Sequence, residues 1–187
     1  MANIQDSAGP TVSDLTNFIE SQCQSEPVAD ISDHQALALQ VMYDLQYQHD
    51  WSALDVHSQT STSASNAASL PRPLISGLPA HHIYIHPDDQ VDILKQGITE
   101  KDVPVDREWV LPTQLREKWT LRRFAEVFDA IDETPPGAQA RSTATANQNQ
   151  YQRARKRGKR ILMAVVNDDS TIVYYIVHDG IIKPRQN

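Results

Sequence analysis

Near the C-terminus, two apolar runs stand back to back across a four-residue polar break. Residues 161–166 read ILMAVV, residues 171–178 read TIVYYIVH, and Asn167-Asp168-Asp169-Ser170 lies between them. Neither run alternates apolar with polar residues. Each is therefore a strand apolar on both faces; for the last strand either helices cover both, or a partner covers one. The break is turn chemistry, because Asn, Asp and Ser bond their own backbone in tight turns. The two runs form a hairpin, and a hairpin this apolar needs a sheet and helices around it. Asp179-Gly180 is a second hairpin signal, and Ile181-Ile182 before Pro184 predicts a last short strand.

Helical patterns supply the cover. Ser32 with Gln35 makes a capping box, and Leu37, Ala38, Val41, Met42 and Leu45 follow at helical spacing, which predicts a helix over 33–47. Thr120 caps a second helix, with Leu121, Phe124, Ala125, Phe128 and Ile131 on its apolar face. Pro87, followed by Asp88 and Asp89, starts a third that Gly97 ends. Thr11 with Asp14 starts a weaker one carrying Leu15, Phe18 and Ile19. Short strands are expected at 83–85 and at 109–111, before Pro112. Residues 57–69 and 132–158 are low in apolar content and read as flexible loops. The expected organisation is an N-terminal tail, 1–31, and a single domain, 32–187. The fold class is α/β (α+β): a small mixed sheet flanked by helices.

Composition bounds the rest. A chain of 187 residues, 40% hydrophobic, holds one core of ordinary size. Its mean hydropathy of −0.50 implies that part of the chain stays outside that core. No run reaches the ~18 apolar residues of a membrane span. The first ten residues show neither the basic start nor the apolar stretch of a secretory signal, so a reducing, intracellular setting is the expectation. Cys23 stands alone and excludes an internal disulfide. Charge is uneven: residues 1–106 hold 3 Lys+Arg against 15 Asp+Glu, whereas residues 107–187 hold 14 against 9. The basic half points to a polyanion or an acidic partner, or to solvated helices and loops.

Enzymatic patterns are thin. His82 and His86 flank the expected strand at 83–85, with Asp88 close by, but no matched ligand pair completes a metal site. Pro87-Asp88 could open a metal-dependent nuclease site. That chemistry needs a second acid two residues before a lysine, and no lysine has one. No glycine-rich phosphate loop occurs. Neither a metal nor a cofactor is expected. The strongest local charge signal is RARKRGKR, with Arg153, Arg155, Lys156, Arg157, Lys159 and Arg160. It can meet RNA phosphates, act as a nuclear import signal, or be a solvated loop end.

The segment DDSTIVYYIVHDGI after RILMAVV resembles the C-terminal end of the smallest, non-catalytic subunit of the eukaryotic tRNA-splicing endonuclease, the Sen-fifteen type. HHIYIHPDDQ, WVLPTQLREKWTLRRFAEVFDAI and VMYDLQYQHDW resemble fungal members of that family. The resemblance covers most of 33–185 outside the two loops. It implies a fold like the catalytic domain of archaeal tRNA-intron endonucleases. It also implies a four-subunit complex acting on pre-tRNA in the nucleus, or on the cytosolic face of the mitochondrial outer membrane. Catalysis there belongs to a Tyr, a His and a Lys on other subunits. The glycine- and aromatic-rich motif around that Tyr and His does not occur here, although Arg157 or Lys159 falls near the lysine's place. The implied interface is the last strand, Ile172, Val173, Tyr174, Tyr175, Ile176 and Val177, used with a catalytic subunit or in a homodimer of the isolated chain. The implied role of Asp168 and Asp169 is an acidic turn entering a basic cleft of a neighbour. The rival readings are a metal-dependent nuclease on a related fold and an RNA-binding adaptor using 153–160.

Overall fold

The two C-terminal runs pair. In the computed structural model, Arg160–Val166 and Ile172–His178 lie antiparallel in unbroken register, from Arg160 opposite His178 to Val166 opposite Ile172. The structure describes residues 12–22, 32–59, 69–85, 87–95, 97, 105–137 and 158–180. In chain order the elements are α1 (Asp14–Gln22), α2 (Asp33–Tyr47), β1 (Ser52–Gln59), β2 (Ser69–Leu78), α3 (Pro87–Lys95), β3 (Glu108–Gln114), α4 (Leu121–Ala130), β4 (Arg160–Val166) and β5 (Ile172–His178). The strands form one sheet in sequence order. Every neighbouring pair is antiparallel except β3–β4, where Val110–Gln114 align in parallel with Leu162–Val166. A parallel pair needs a crossover, and α4 lies within it.

The middle of the sheet is covered on both faces. On one face α2 buries Leu37, Ala38, Val41, Met42 and Leu45 against Ile75, Val110, Leu162, Ala164 and Val166. On the other, Val127, Phe128 and Ile131 pack with Leu74, Trp109, Leu111 and Ile161. Odd and even positions of β3 and β4 thus feed different cores, as the pleat dictates. Ser32 caps α2 by accepting from the Gln35 amide at 3.3 Å. Helix α1 rests on α2, with Phe18 edge-on to Tyr43 at 5.3 Å. Ser13 accepts from the Thr16 amide at its start, while Thr11 lies outside the described residues.

Several expectations need correction. The segment 57–69 is not all loop: residues 57–59 end β1, and Ser69 opens β2. Both strands escape notice because β1 is a polar edge strand and β2 carries Pro71 and Pro73. The prolines sit in a bulge, where the β1–β2 register jumps between His57 and Gln59. Conversely, residues 83–85 are not a strand. Ile83 instead packs as an isolated side chain against the α2 core. His82 and His86 therefore do not flank a strand; His86 and the side chain of Asp88 lie outside the description. Strand β3 runs through Pro112 to Gln114. Proline fits because β2 pairs only with residues 108–110, so no strand needs its amide on that side. Gly77 is fixed by crowding: a Cβ there would lie 2.5 Å from Leu54 Cδ2 and 2.9 Å from the Trp51 ring. The expected strand at Ile181-Ile182 and residues 138–157 of the second loop lie outside the described residues.

The face of α4 is rotated from its expected position. Leu121 is 89% exposed and Ala125 is exposed, while Val127 is buried. The buried arc runs through Phe124, Val127, Phe128 and Ile131, which leaves Leu121 and Ala125 beyond its edge. Phe128→Ala should therefore cost about 3–5 kcal/mol in urea unfolding. Leu121→Ser should stay within about 0.5 kcal/mol. The reverse order would put Leu121 in the core.

Candidate functional site

Among the described residues, strand β5 is an edge strand of the sheet. Its inner face, Ile172, Tyr174 and Ile176, packs on the α2 core. The Tyr174 hydroxyl donates to Asp44 Oδ2 of α2 at 2.6 Å. The His49 ring stands edge-on to Tyr174 at 5.1 Å, and its Nε2 lies 3.4 Å from the same carboxylate oxygen. Burial and the Asp44 carboxylate push the Tyr174 phenol far up, so it stays protonated as a donor. The outer face is open. Val173 is 45% and Tyr175 55% exposed, while Val177 tucks partly into the α4 core. Helices therefore cover one face of β5 and leave two large side chains of the other in solvent.

The turn before β5 is closed from within. The Asn167 amide donates to the Thr171 carbonyl at 2.9 Å, and the Ser170 amide to the Asn167 carbonyl at 3.0 Å. Ser170 sits in the left-handed region at φ 68°. Asp169 Oδ1 accepts from the Thr171 amide at 3.0 Å, and Thr171 holds this exposed carboxyl below its usual range. The Asp168 carboxylate meets the Arg116 guanidinium, both largely exposed.

The basic run is partly spent inside the fold. Lys159 Nζ donates to the Phe128 carbonyl in the last turn of α4 at 2.9 Å. Arg160 grips the Glu108 carboxylate through Nε and Nη2 and so ties the start of β4 to the start of β3. Arg160 also lies opposite His178, whose imidazole is held below its ordinary pKa by burial and then by Arg160, against Glu108. Arg153, Arg155, Lys156 and Arg157 lie outside the described residues.

Two polar networks were not singled out from the sequence. In the first, Arg72, only 5% exposed, reaches both Glu117 oxygens at 2.8 and 2.9 Å. Arg123 donates to Glu117 at 2.6 Å and to the Lys118 carbonyl at 2.8 Å. Both guanidiniums lie over the Trp119 ring, at 5.4 Å for Arg72 and 4.6 Å for Arg123. Burial works to raise the Glu117 carboxyl, but hydrogen bonds from Arg72 and Arg123 outweigh it and hold it down. In the second, buried Ser76 lies 2.8 Å from His57 Nε2 and accepts from Arg107 Nε at 3.0 Å. Arg107 also meets Asp55. Burial holds the His57 imidazole below its ordinary value; Asp55 opposes this and Arg107 adds to it. The only sequence signals were a lone Arg72 in an apolar strand and a cation-rich segment after β3.

The two networks make different predictions. Glu117→Ala leaves the Arg72 charge buried and should cost about 3–5 kcal/mol by chemical denaturation. Glu117 contributes stability above its unfolded pKa, lost as pH falls through its lower folded value. His57 and His178 both bind protons more weakly when folded. Their contribution is full above about 6.5 and is lost as pH falls through the depressed folded values. Melting temperature should thus drop on acidification below that point, and His57→Gln should flatten the drop. A melting temperature that rises over the same window would contradict the neutral-histidine assignment.

The comparisons with known proteins come down on one family. The model of the family described as Sen15 protein matches residues 40–187. A probable tRNA-splicing endonuclease subunit, tsp-1, of Neurospora crassa is 47% identical over 156 residues, which is 82% of this chain and 66% of the relative. A probable subunit sen15 of Schizosaccharomyces pombe is 28% identical over 146 residues, 77% of this chain and 78% of the relative. The subunit SEN15 of Eremothecium gossypii is 26% identical over 92 residues, 49% of this chain and 62% of the relative. The chain spans a little under two thirds of the length of the Neurospora and Eremothecium relatives. The family match takes in the second half of α2, from Gln40, and every strand of the sheet, and the chain belongs to the Sen15 family.

Proposed function

We propose that this chain is a non-catalytic, structural subunit of a tRNA-splicing endonuclease. It supports assembly of the complex and places a catalytic partner for cutting pre-tRNA at exon–intron junctions. The observation that carries this is the open outer face of β5 on an edge of the sheet, with Val173 and Tyr175 exposed. An unpaired strand edge with large apolar side chains is a template for a second chain. The relatives, named as tRNA-splicing endonuclease subunits, supply the complex. The non-catalytic role is supported by the missing glycine- and aromatic-rich motif, and by Lys159, whose ammonium caps α4. Residues 32–187 would act as one endonuclease-like domain, in the nucleus, and the isolated chain would form a homodimer through the same β5 face. A metal-dependent nuclease is disfavoured because no acid lies two residues before a lysine.

Tyr175 is the residue with which to test the surface, because it is exposed. Ile176 is not, since it packs on the α2 core and its replacement by Asp would disturb folding. Tyr175→Asp should keep its circular dichroism and melting temperature and lose co-purification with the catalytic subunit. It should also shift the isolated chain to monomer in light scattering. A folded Tyr175→Asp chain that still binds its partner would sink the assignment. The purified chain should leave intron-containing tRNA uncut, with or without divalent metal. Specific cutting at either junction that survives repurification would make it a nuclease.

The acidic turn is proposed as a second contact, between the two halves of the complex. Asp168→Lys with Asp169→Lys leaves both strands untouched. It should preserve pairing with the nearest partner and lose the four-subunit species in size-exclusion chromatography. Intact complex at raised salt would reduce the two acids to turn formers.

A further inference from the structure

The segment 116–123 reads REKWTLRR, with four cations and one acid. That acid, Glu117, is withdrawn into the network with Arg72 and Arg123, so it leaves little negative charge on the surface. The cations that remain face water. The side chains of Arg116 and Arg122 are 81% and 89% exposed, and Lys118 is exposed. Their acidic neighbours, Asp168 and Glu126, are more than half exposed themselves. Such pairs are weak and yield to a competing anion.

The frame beneath these cations is rigid. The Leu115 amide is bonded to the Val166 carbonyl at 2.9 Å, and the Glu117 amide to the Gln114 carbonyl at 3.0 Å. Arg123 is fixed over the Trp119 ring. The first turn of α4 carries two arginines and no acid, against the charge preference of a helix start. The helix start itself therefore offers no acid to balance these arginines, and the carboxylates that meet the patch, Asp168 and Glu126, do so through exposed pairs. We infer that Arg116, Lys118 and Arg122 form a contact for the phosphate backbone of RNA, the contribution of this subunit to holding pre-tRNA. The inference rests on the reading of the chain as an endonuclease subunit. Phosphate suits the patch better than a protein partner does. A protein interface would desolvate three long charges of one sign, for which this side of the sheet offers, among the described residues, no balancing buried acid but Glu117, whereas phosphate contacts leave them half hydrated. Leu115 and Leu121 are also exposed here and would serve a protein contact instead, so the test must separate the two.

The full chain, alone and co-expressed with the other subunits, is titrated with a fluorescent intron-containing tRNA transcript over a range of salt. The variant carries Arg116→Ala, Lys118→Ala and Arg122→Ala, and spares Arg123, which is structural. Expected are an unchanged melting temperature, intact assembly, and a salt slope lower by about two to three, with weakening alike for different tRNA sequences. An assembled variant with unchanged affinity and slope overturns the inference. So does a folded variant that fails to assemble while binding RNA normally, because the patch is then a protein contact. Leu121→Ser should change neither readout. If the unmutated chain co-purifies with no endonuclease subunit, the functional reading fails separately, and the titration of the isolated chain still decides the patch.

Discussion

Strand β4 has to serve two neighbours of opposite sense, β3 in parallel and β5 antiparallel, while carrying helices on both faces. A strand in that position cannot alternate apolar with polar residues, and ILMAVV does not. Leu162, Ala164 and Val166 go to the α2 core, and Ile161 and Met163 to the α4 core. Of these, Leu162, Val166 and Ile161 each contribute about 1.5–3 kcal/mol on burial. Its ends are set by polar contacts: Arg160 to Glu108 and Lys159 to α4 at the start, Val166 to Leu115 at the finish. Without β4, β5 would have no strand to pair with, and the turn and open face would lose their positions.

The two edges of the sheet are treated in opposite ways. Strand β1 is bulged and polar, with Ser52, Asp55 and Ser58 exposed and only Leu54 and Val56 partly buried on its apolar side. That is how a strand edge is blunted against unwanted pairing. Strand β5 is regular through seven pairs and exposes Val173 and Tyr175. The cause is unequal helical cover. Helix α2 reaches across to β5 and bonds Tyr174 through Asp44, whereas on the opposite face only Val177 of β5 joins the α4 core. One edge of the sheet is thus blunted, while the other stays regular and keeps two large side chains in water.

What the sequence disclosed follows from what burial demands of it. The β4–β5 hairpin was legible from its two unbroken apolar runs and α2 from its helical periodicity, and Ser32 marks the helix start by its side chain. The phase of α4 was misread because Leu121 and Ala125 look like core residues and only the position of the sheet shows otherwise. Strand β1 was invisible because a polar edge needs little apolar content, and β2 because proline normally argues against a strand. The open β5 face was legible as a surplus of apolar surface. How that surplus divides, inward at Tyr174 and outward at Tyr175, depends on where the helices stop. The Arg72–Glu117–Arg123 network was not legible, because Arg72 lies 45 residues from Glu117 in sequence.

The same separation explains why charge counts mislead. The basic excess of residues 107–187 suggests one positive surface, with RARKRGKR as its focus. Within the described residues much of that charge is consumed locally. Arg107 meets Asp55, Arg160 meets Glu108, and Lys159 caps a helix. Arg72, from the acidic half, is buried against Glu117 and so removes a carboxylate from the basic side. The exposed positive charge left between β3 and α4 belongs to Arg116, Lys118 and Arg122. Because β3 and β4 are parallel, both end where β5 begins, and Arg116 meets Asp168 there. The acidic turn and the cationic segment are therefore neighbours by topology. The start of the open β5 strand lies at the same end.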